Sequence, residues 1–438
     1  MIKTIMPLSF IIALRFLGLF IVLPVLSVYA LHLEGSSETL VGITIGGYAV
    51  TQMLLQIPFG ILSDKIGRKI TIFIGLVIFI AGSLVCGFSD HIYTLMFGRF
   101  LQGAGAIGAV GTAMISDMVK EEMRGHAMAV MGGSIAASFA ISMMLGSLIG
   151  GYFGVDKLFF ITAALSLLAI IILFTKVPNP PKIIHHYGAD EADLKHIFKD
   201  KNLMRMNITN MLQKGMMTLA FLVIPIIMLK EFGFVKKELW MVYMPAMIFG
   251  VLSMGPSAIM GEKKHKAKEM LMIGVALFAL SYVIMGYAHK ASWFIVGVVI
   301  FFIGFNMHEP LMQSMASKYA KSHQKGAALG VFNTFGYFGT FIGGVFGGLF
   351  LEHFGMMEIA WVIFILCIAW LFLIASLKNP SHNKNIYAPY ADIDFSRLDH
   401  LRQVTGIIEW YRNESEKILV IKYDANLTDK ETILAVIS

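Results

Sequence analysis

The chain has 438 residues, 57% of them hydrophobic and 14% charged, against about 45–50% apolar and about 25% charged in a typical soluble domain. That balance excludes an ordinary water-soluble enzyme and places most of the chain in lipid. The formal charge of +7 is therefore expected to mark loops on one side of a membrane, not a nucleic-acid surface. Cys86 and Cys367 lie inside apolar runs without C-x-x-C spacing; packing thiols are expected, and neither a metal site nor a redox pair.

An apolar helix of ~20 residues crosses the ~30 Å of bilayer hydrocarbon. Twelve such runs follow in order, at 5–31, 39–62, 70–88, 92–117, 126–152, 157–175, 204–229, 239–260, 269–288, 291–316, 326–351 and 356–377. Lys3 ahead of the first run and Val28-Tyr29-Ala30 near its end suggest a signal peptide, but Arg15 in its middle argues for a retained span. If the N-terminus is cytoplasmic, the inside loops hold seventeen Lys and Arg and the outside loops five. This bias puts both termini in the cytoplasm.

The longest internal loop, 176–203, opens with Pro178-Asn179-Pro180-Pro181. It separates a six-helix bundle at 1–175 from a second at 204–377. The halves correspond weakly: the basic turn after span 2 matches Lys263–Lys268 after span 8, and the glycine-rich span 5 matches span 11. Related halves of this kind mark a two-bundle transporter with its site between them. A linker, 378–389, then leads to a small cytoplasmic domain, 390–438. Ile386–Tyr390, a helix from Asp394 or Ser396 to Val404, strands at Ile407–Arg412 and Ile418–Tyr423, and a capped helix opened by Thr428-Asp429-Lys430-Glu431 give the order β-α-β-β-α. That is a ferredoxin-like α+β unit without its last strand.

Several motifs have a recognisable spelling. Gly60-Ile61-Leu62-Ser63-Asp64-Lys65-Ile66-Gly67-Arg68-Lys69 lies between spans 2 and 3, and Arg99-Phe100-Leu101-Gln102-Gly103-Ala104-Gly105 lies in span 4. Asp117 is followed by Arg124-Gly125, and span 5 carries Gly132, Gly133, Gly146, Gly150 and Gly151. Together these resemble the signatures of the major facilitator superfamily. The resemblance implies an all-α membrane protein of twelve transmembrane helices in two six-helix bundles. Leu14-Arg15-Phe16-Leu17-Gly18, Leu23-Pro24-Val25-Leu26, Gln56-Ile57-Pro58-Phe59-Gly60 and the C-terminal domain resemble the YajR branch, whose members are bacterial inner-membrane transporters regarded as proton-driven drug-efflux candidates. In the antiporter subgroup a proline follows the glycine at 146; here Ser147 does. The resemblance further implies a cytoplasmic gate in which Asp64 docks on the start of span 11 while Arg68 links to Asp117, with Gly60, Gly67 and Arg124 in the same turns.

Ionisable residues inside spans cost ~3 kcal/mol or more in lipid, so each should face a cavity or a partner. They are Arg15 in span 1, Arg99 in span 4, Lys214 in span 7, and His308 and Glu309 in span 10. Spans 1, 4, 7 and 10 are those that line the cavity in the superfamily. Proton coupling needs a group whose pKa moves as it is buried or exposed. Glu309 is the first candidate, Lys214 its counter-charge, and His308 a further titrating group. Arg15 and Arg99 stay charged and would set the cavity's potential.

No G-x-x-x-x-G-K-[ST] is present. A non-enzymatic transporter without cofactor is expected, driven by the proton gradient. Its partners would be a small-molecule substrate, protons and membrane lipids, with no nucleic acid. Proton-coupled export of a small amphiphilic or cationic compound leads. Proton-coupled uptake, and a membrane sensor signalling through its C-terminal domain, are the rivals.

Overall fold

The computed structural model describes residues 2–119, 121–179, 197–320, 325–378, 383–413 and 416–437. Most of the 176–203 linker, the end of the 378–389 linker that borders span 12, and the side chain of Arg124 lie outside the described residues. Eleven of the described helical stretches are long and apolar enough to cross a membrane. The N-terminal half consists of α1 (Ile2–Phe20), α2 (Leu23–Ala30), α3 (Glu38–Ile66), α4 (Arg68–Gly87), α5 (Ile92–Ala104), α6 (Gly108–Asp117), α7 (Glu121–Phe153) and α8 (Val155–Thr175). The C-terminal half consists of α9 (Lys201–Lys230), α10 (Trp240–Ala258), α11 (Ala267–Gly286), α12 (Ala291–Tyr319), α13 (Lys325–His353) and α14 (Met356–Ala375). Two expected spans are broken: span 1 as α1 and α2, which together still make one of the eleven, and span 4 as α5 and α6, of 13 and 10 residues, each too short to cross alone.

Sequence explains the second break. Gly103, Gly105 and Gly108 fall within six residues, and glycine is about 1 kcal/mol less favourable than alanine in a helix interior. They also bring backbones together. A Cβ at Gly103 would sit 1.9 Å from Tyr48 O, and one at Gly105 would sit 2.4 Å from Gly75 O.

The two halves meet tightly at one end, the end that carries Glu38 and Glu352. Along α13, Gly339 and Gly343 press on the α9 backbone at Met211 and Gly215, while Gly344 and Gly348 press on α3 at Gly42 and Glu38. A Cβ on Gly42 would lie 2.1 Å from Gly344 O, and one on Gly344 would lie 2.3 Å from Gly42 O. Gly146 of α7 touches Ile21 O at the α1–α2 break, and Gly151 touches Lys237 of the other half. At the opposite end, where α3 and α9 respectively end and begin, a Cβ on Gly60, Gly67, Gly132, Gly133, Gly326 or Gly330 would meet nothing within 4 Å. Gly60 therefore brings no helices together here and is part of α3, not of the turn. Gly67 does make the turn, at φ +98°.

The C-terminal domain begins earlier than expected, because β1 (Asn383–Pro389) fills most of the 378–389 segment. β2 (Ile407–Asn413) and β3 (Ile418–Asp424) follow, and β3 lies between the other two, antiparallel to both. This is the split β-α-β order of a ferredoxin-like unit with three strands among the described residues. The crossover Phe395–Gln403 is 3₁₀ where an α-helix was expected; the tighter winding rises ~2.0 Å per residue rather than ~1.5 Å and so reaches further with nine residues. It and α15 (Lys430–Ile437) cover one sheet face, with Leu398, Leu401, Leu419, Ile421, Ile433 and Ile437 in the core.

Two predictions follow from this packing. Gly344→Ala is expected to lower the thermal unfolding temperature of the detergent-solubilised protein, at a cost of about 1–3 kcal/mol for forced overpacking. Gly132→Ala should hold or raise it, with a stabilisation of up to about 1 kcal/mol, because its surroundings are open and alanine favours helix. In the C-terminal domain, the Ser396 hydroxyl and backbone N–H hold the Asp394 carboxyl below its ordinary range, and the Thr432 backbone N–H does the same for Asp429. A depressed folded pKa stabilises above the ordinary carboxylate range and is lost as pH falls through the folded value. Replacing both with Asn, which caps without titrating, should flatten the acid limb of the domain's unfolding, read by hydrogen exchange in β3.

Candidate functional site

The polar centre of the C-terminal half is built on two facing helices. Lys214 of α9 and Glu309 of α12 form an ion pair, Nζ to Oε1, at 2.7 Å. The Gln213 side-chain amide donates to the same carboxylate oxygen at 2.9 Å, and the ammonium sits 5.2 Å from the centre of the Phe305 ring. The two charged side chains are 28% and 32% exposed, so the pair is accessible from within the helical assembly. Neighbouring polar groups are sequestered: Asn210 donates to Phe332 O at 2.7 Å, and Asn207 is buried with neither amide atom partnered among the described residues.

His308 is not part of this centre. Consecutive helical residues point about 100° apart, and its ring turns into the packing of α12 on α11 and α14. There Nε2 lies 2.9 Å from Leu271 O, with Phe278 and Trp370 edge-on.

Arg15 and Arg99 are both fully buried in the N-terminal half. Arg15 donates to Gln52 Oε1 at 3.0 Å and to Gly105 O at 3.1 Å, a carbonyl that the break between α5 and α6 releases from helical bonding. The Phe16 and Phe79 rings lie 5.2 and 5.3 Å away. Gln52 in turn donates to the Tyr337 hydroxyl of α13 at 2.8 Å, which carries the chain into the other half. Arg99 donates to Gln102 Oε1 at 2.8 Å and lies over Tyr48, while Gln102 donates to Ser83. The arginines are therefore held by neutral dipoles and ring faces.

The turn between α3 and α4 forms a second constellation. Arg68 Nε lies 3.0 Å from Asp117 Oδ2 and Nη1 lies 2.6 Å from Asp64 Oδ1. Arg68 and Asp117 are 12% and 8% exposed, Asp64 63%. The expected link to Asp117 is thus present. Asp64's partner among the described residues is Arg68, and its carboxylate faces solvent.

At the Glu38 end a clasp joins the halves that sequence reasoning missed. Lys230 Nζ lies 2.7 Å from Glu38 Oε1, and Glu352 accepts from the Thr39 backbone N–H at 3.1 Å and from its hydroxyl. Gln213 was also overlooked. Its signal was a polar residue beside Lys214 in the middle of an apolar run.

The sequence profile of the Major Facilitator Superfamily matches residues 8–344 and 267–404. Inner membrane transport protein YajR of Escherichia coli K12 is 34% identical, over 95% of this chain and 93% of its own length. Multidrug resistance protein 2 of Bacillus subtilis 168 is 24% identical, over 78% of this chain and 87% of its own. Among solved structures, a bacterial homologue of the human lysosomal transporter Spinster, inward-facing and occupied, superposes with TM-score 0.71 at 14% identity, over 85% of this chain and 96% of that one.

The ion pair yields a prediction. Glu309→Gln or Lys214→Met leaves one charge alone and is expected to destabilise by about 1–3 kcal/mol, below the ~3–5 kcal/mol of a fully buried pair because each side chain is partly exposed. The double variant should lose less than the sum of the singles, a coupling that a double-mutant cycle of unfolding free energies measures.

Proposed function

Because the chain belongs to the Major Facilitator Superfamily, we propose that this multi-pass membrane transporter exports a small amphiphilic or cationic compound in exchange for protons, by alternating access. The Lys214–Glu309 pair carries the reading. It is the accessible charge pair in the middle of two helices, and one member accepts a proton. At an effective dielectric of ~20, opposite charges ~4 Å apart attract by about 4 kcal/mol. Protonating Glu309 removes an attraction of that order, and ~5.5 kcal/mol is enough to carry a two-state equilibrium from 1:99 to 99:1. A cationic substrate meets the ionised carboxylate, a proton displaces it, and the pair alternates between the two.

The second support is positional. The halves touch at the Glu38 end, whereas Gly60, Gly132 and Gly330 have open surroundings. In the alternate state the Asp64 carboxylate, exposed here, docks on the start of α13, whose N-terminal helix dipole favours an anion. Arg68 stays on Asp117 through the change. On this reading the Asp64 end and both termini lie on the cytoplasmic side of a bacterial inner membrane, an orientation supported by the Lys- and Arg-rich loops, and the proton gradient drives transport without a cofactor.

Uptake by proton symport is the second reading, favoured by Ser147 where the antiporter pattern has proline. Ser147 Oγ bonds to Met143 O and Met144 O within α7 and leaves that helix regular.

Flux into and out of proteoliposomes separates the two. With acid on the outer side, a preloaded fluorescent cationic amphiphile is expected to leave wild-type vesicles faster than at equal pH. Glu309→Gln should abolish this acceleration and weaken binding of the dye, because it removes the charge that meets the cation. Accumulation of dye under the same gradient would replace export with uptake.

A further inference from the structure

The C-terminal domain has a sheet with two covered faces but helices on only one of them. Leu419, Ile421 and Tyr423 of β3 point into the domain core. The alternate residues Val420 and Lys422 are nonetheless 1% and 4% exposed. On this second face Tyr387 and Tyr411 flank Val420, and Asn385 and Glu409 flank Lys422. Burying an ammonium is costly unless it is hydrogen-bonded. Lys422 donates to Lys318 O at 2.9 Å and to Ala320 O at 2.6 Å.

Those carbonyls are the end of α12, which stops at Tyr319 when Ala320 turns to ψ 145°. The last carbonyls of a helix have no partner within it, and the negative end of its dipole favours a cation. Lys422 supplies both the donors and the charge from about a hundred residues further along the chain. The same helix end is tied elsewhere: Lys318 and Ser314 meet Glu262 after α10, and the Tyr319 hydroxyl donates to Lys378 O after α14.

We infer that the C-terminal domain is a cap on α12: the free face of its sheet docks on this helix end, and Lys422 is the positioning residue that holds it. Glu309 lies nine residues back along the same helix, about 14 Å at 1.5 Å per residue. A ligand or partner that lifts the domain would release the end of the helix carrying that carboxylate. The docking stands whatever the transporter carries and in whichever direction.

Hydrogen exchange on the full-length protein in detergent tests it without a substrate. Lys422→Met should speed exchange at amides 314–320 about tenfold, with β3 and the 92–104 helix unchanged, and Lys422→Arg should return it toward wild type. Unchanged exchange at 314–320 in Lys422→Met, with β3 still protected, overturns the docking. If Lys422→Met instead unfolds β3, Lys422→Arg decides: wild-type protection at 314–320 supports the cap, and fast exchange there with β3 intact overturns it.

Discussion

A charge held in hydrocarbon must find a partner, and this requirement organises both halves of the molecule. At roughly 3 kcal/mol or more for each unanswered charge, the chain uses two solutions. Lys214 is answered by a carboxylate, a partner whose charge a proton can remove. Arg15 and Arg99 are answered by amide oxygens, a released carbonyl and aromatic faces. Neither arginine can be neutralised at any ordinary pH. The carboxylate–ammonium pair therefore belongs to the C-terminal half, and the two arginines held by neutral groups belong to the N-terminal half.

Glycine works as a second constraint, and between the two halves it acts at the Glu38 end. Where α3 meets α13, backbones touch with no side chain between them, and the Glu38–Lys230 and Thr39–Glu352 contacts close over the glycines. Backbone contact of this kind has two discrete arrangements, together or apart, with little between. That is the packing behaviour a two-state element requires. The opposite end holds a charged turn, with Arg68 as its buried centre and one of its two carboxylates facing water.

Much of this was legible in the sequence because lipid imposes simple rules. Run length located the helices, loop lysines suggested their direction, and rarity singled out Lys214, Glu309 and the arginines. Breaks were not legible: Arg15 and the glycines of span 4 were visible, but that the helix would open at Gly105 to supply Arg15 with a carbonyl depends on contacts with α3 and α4. His308 was grouped with Glu309 by adjacency in sequence, and helical geometry separated them. Gln213 and the Glu38 clasp were missed for opposite reasons. The first is a neutral residue among apolar ones; the second lies at helix ends, where charges are ordinary. Lys422 carries no mark in a strand of a small α+β domain, and only its burial against a distant helix end makes it distinctive.

The chain of bonds from Arg15 to Tyr337 has a direction. A guanidinium has no acceptor, so Gln52 must turn its oxygen toward Arg15 and its nitrogen toward Tyr337. The tyrosine oxygen is thereby an acceptor at the seam between the halves. One residue that can only donate fixes the orientation of every dipole after it. The two halves are joined at this depth by a polarised thread, and parting them means breaking it at a bond whose sense was set on α1.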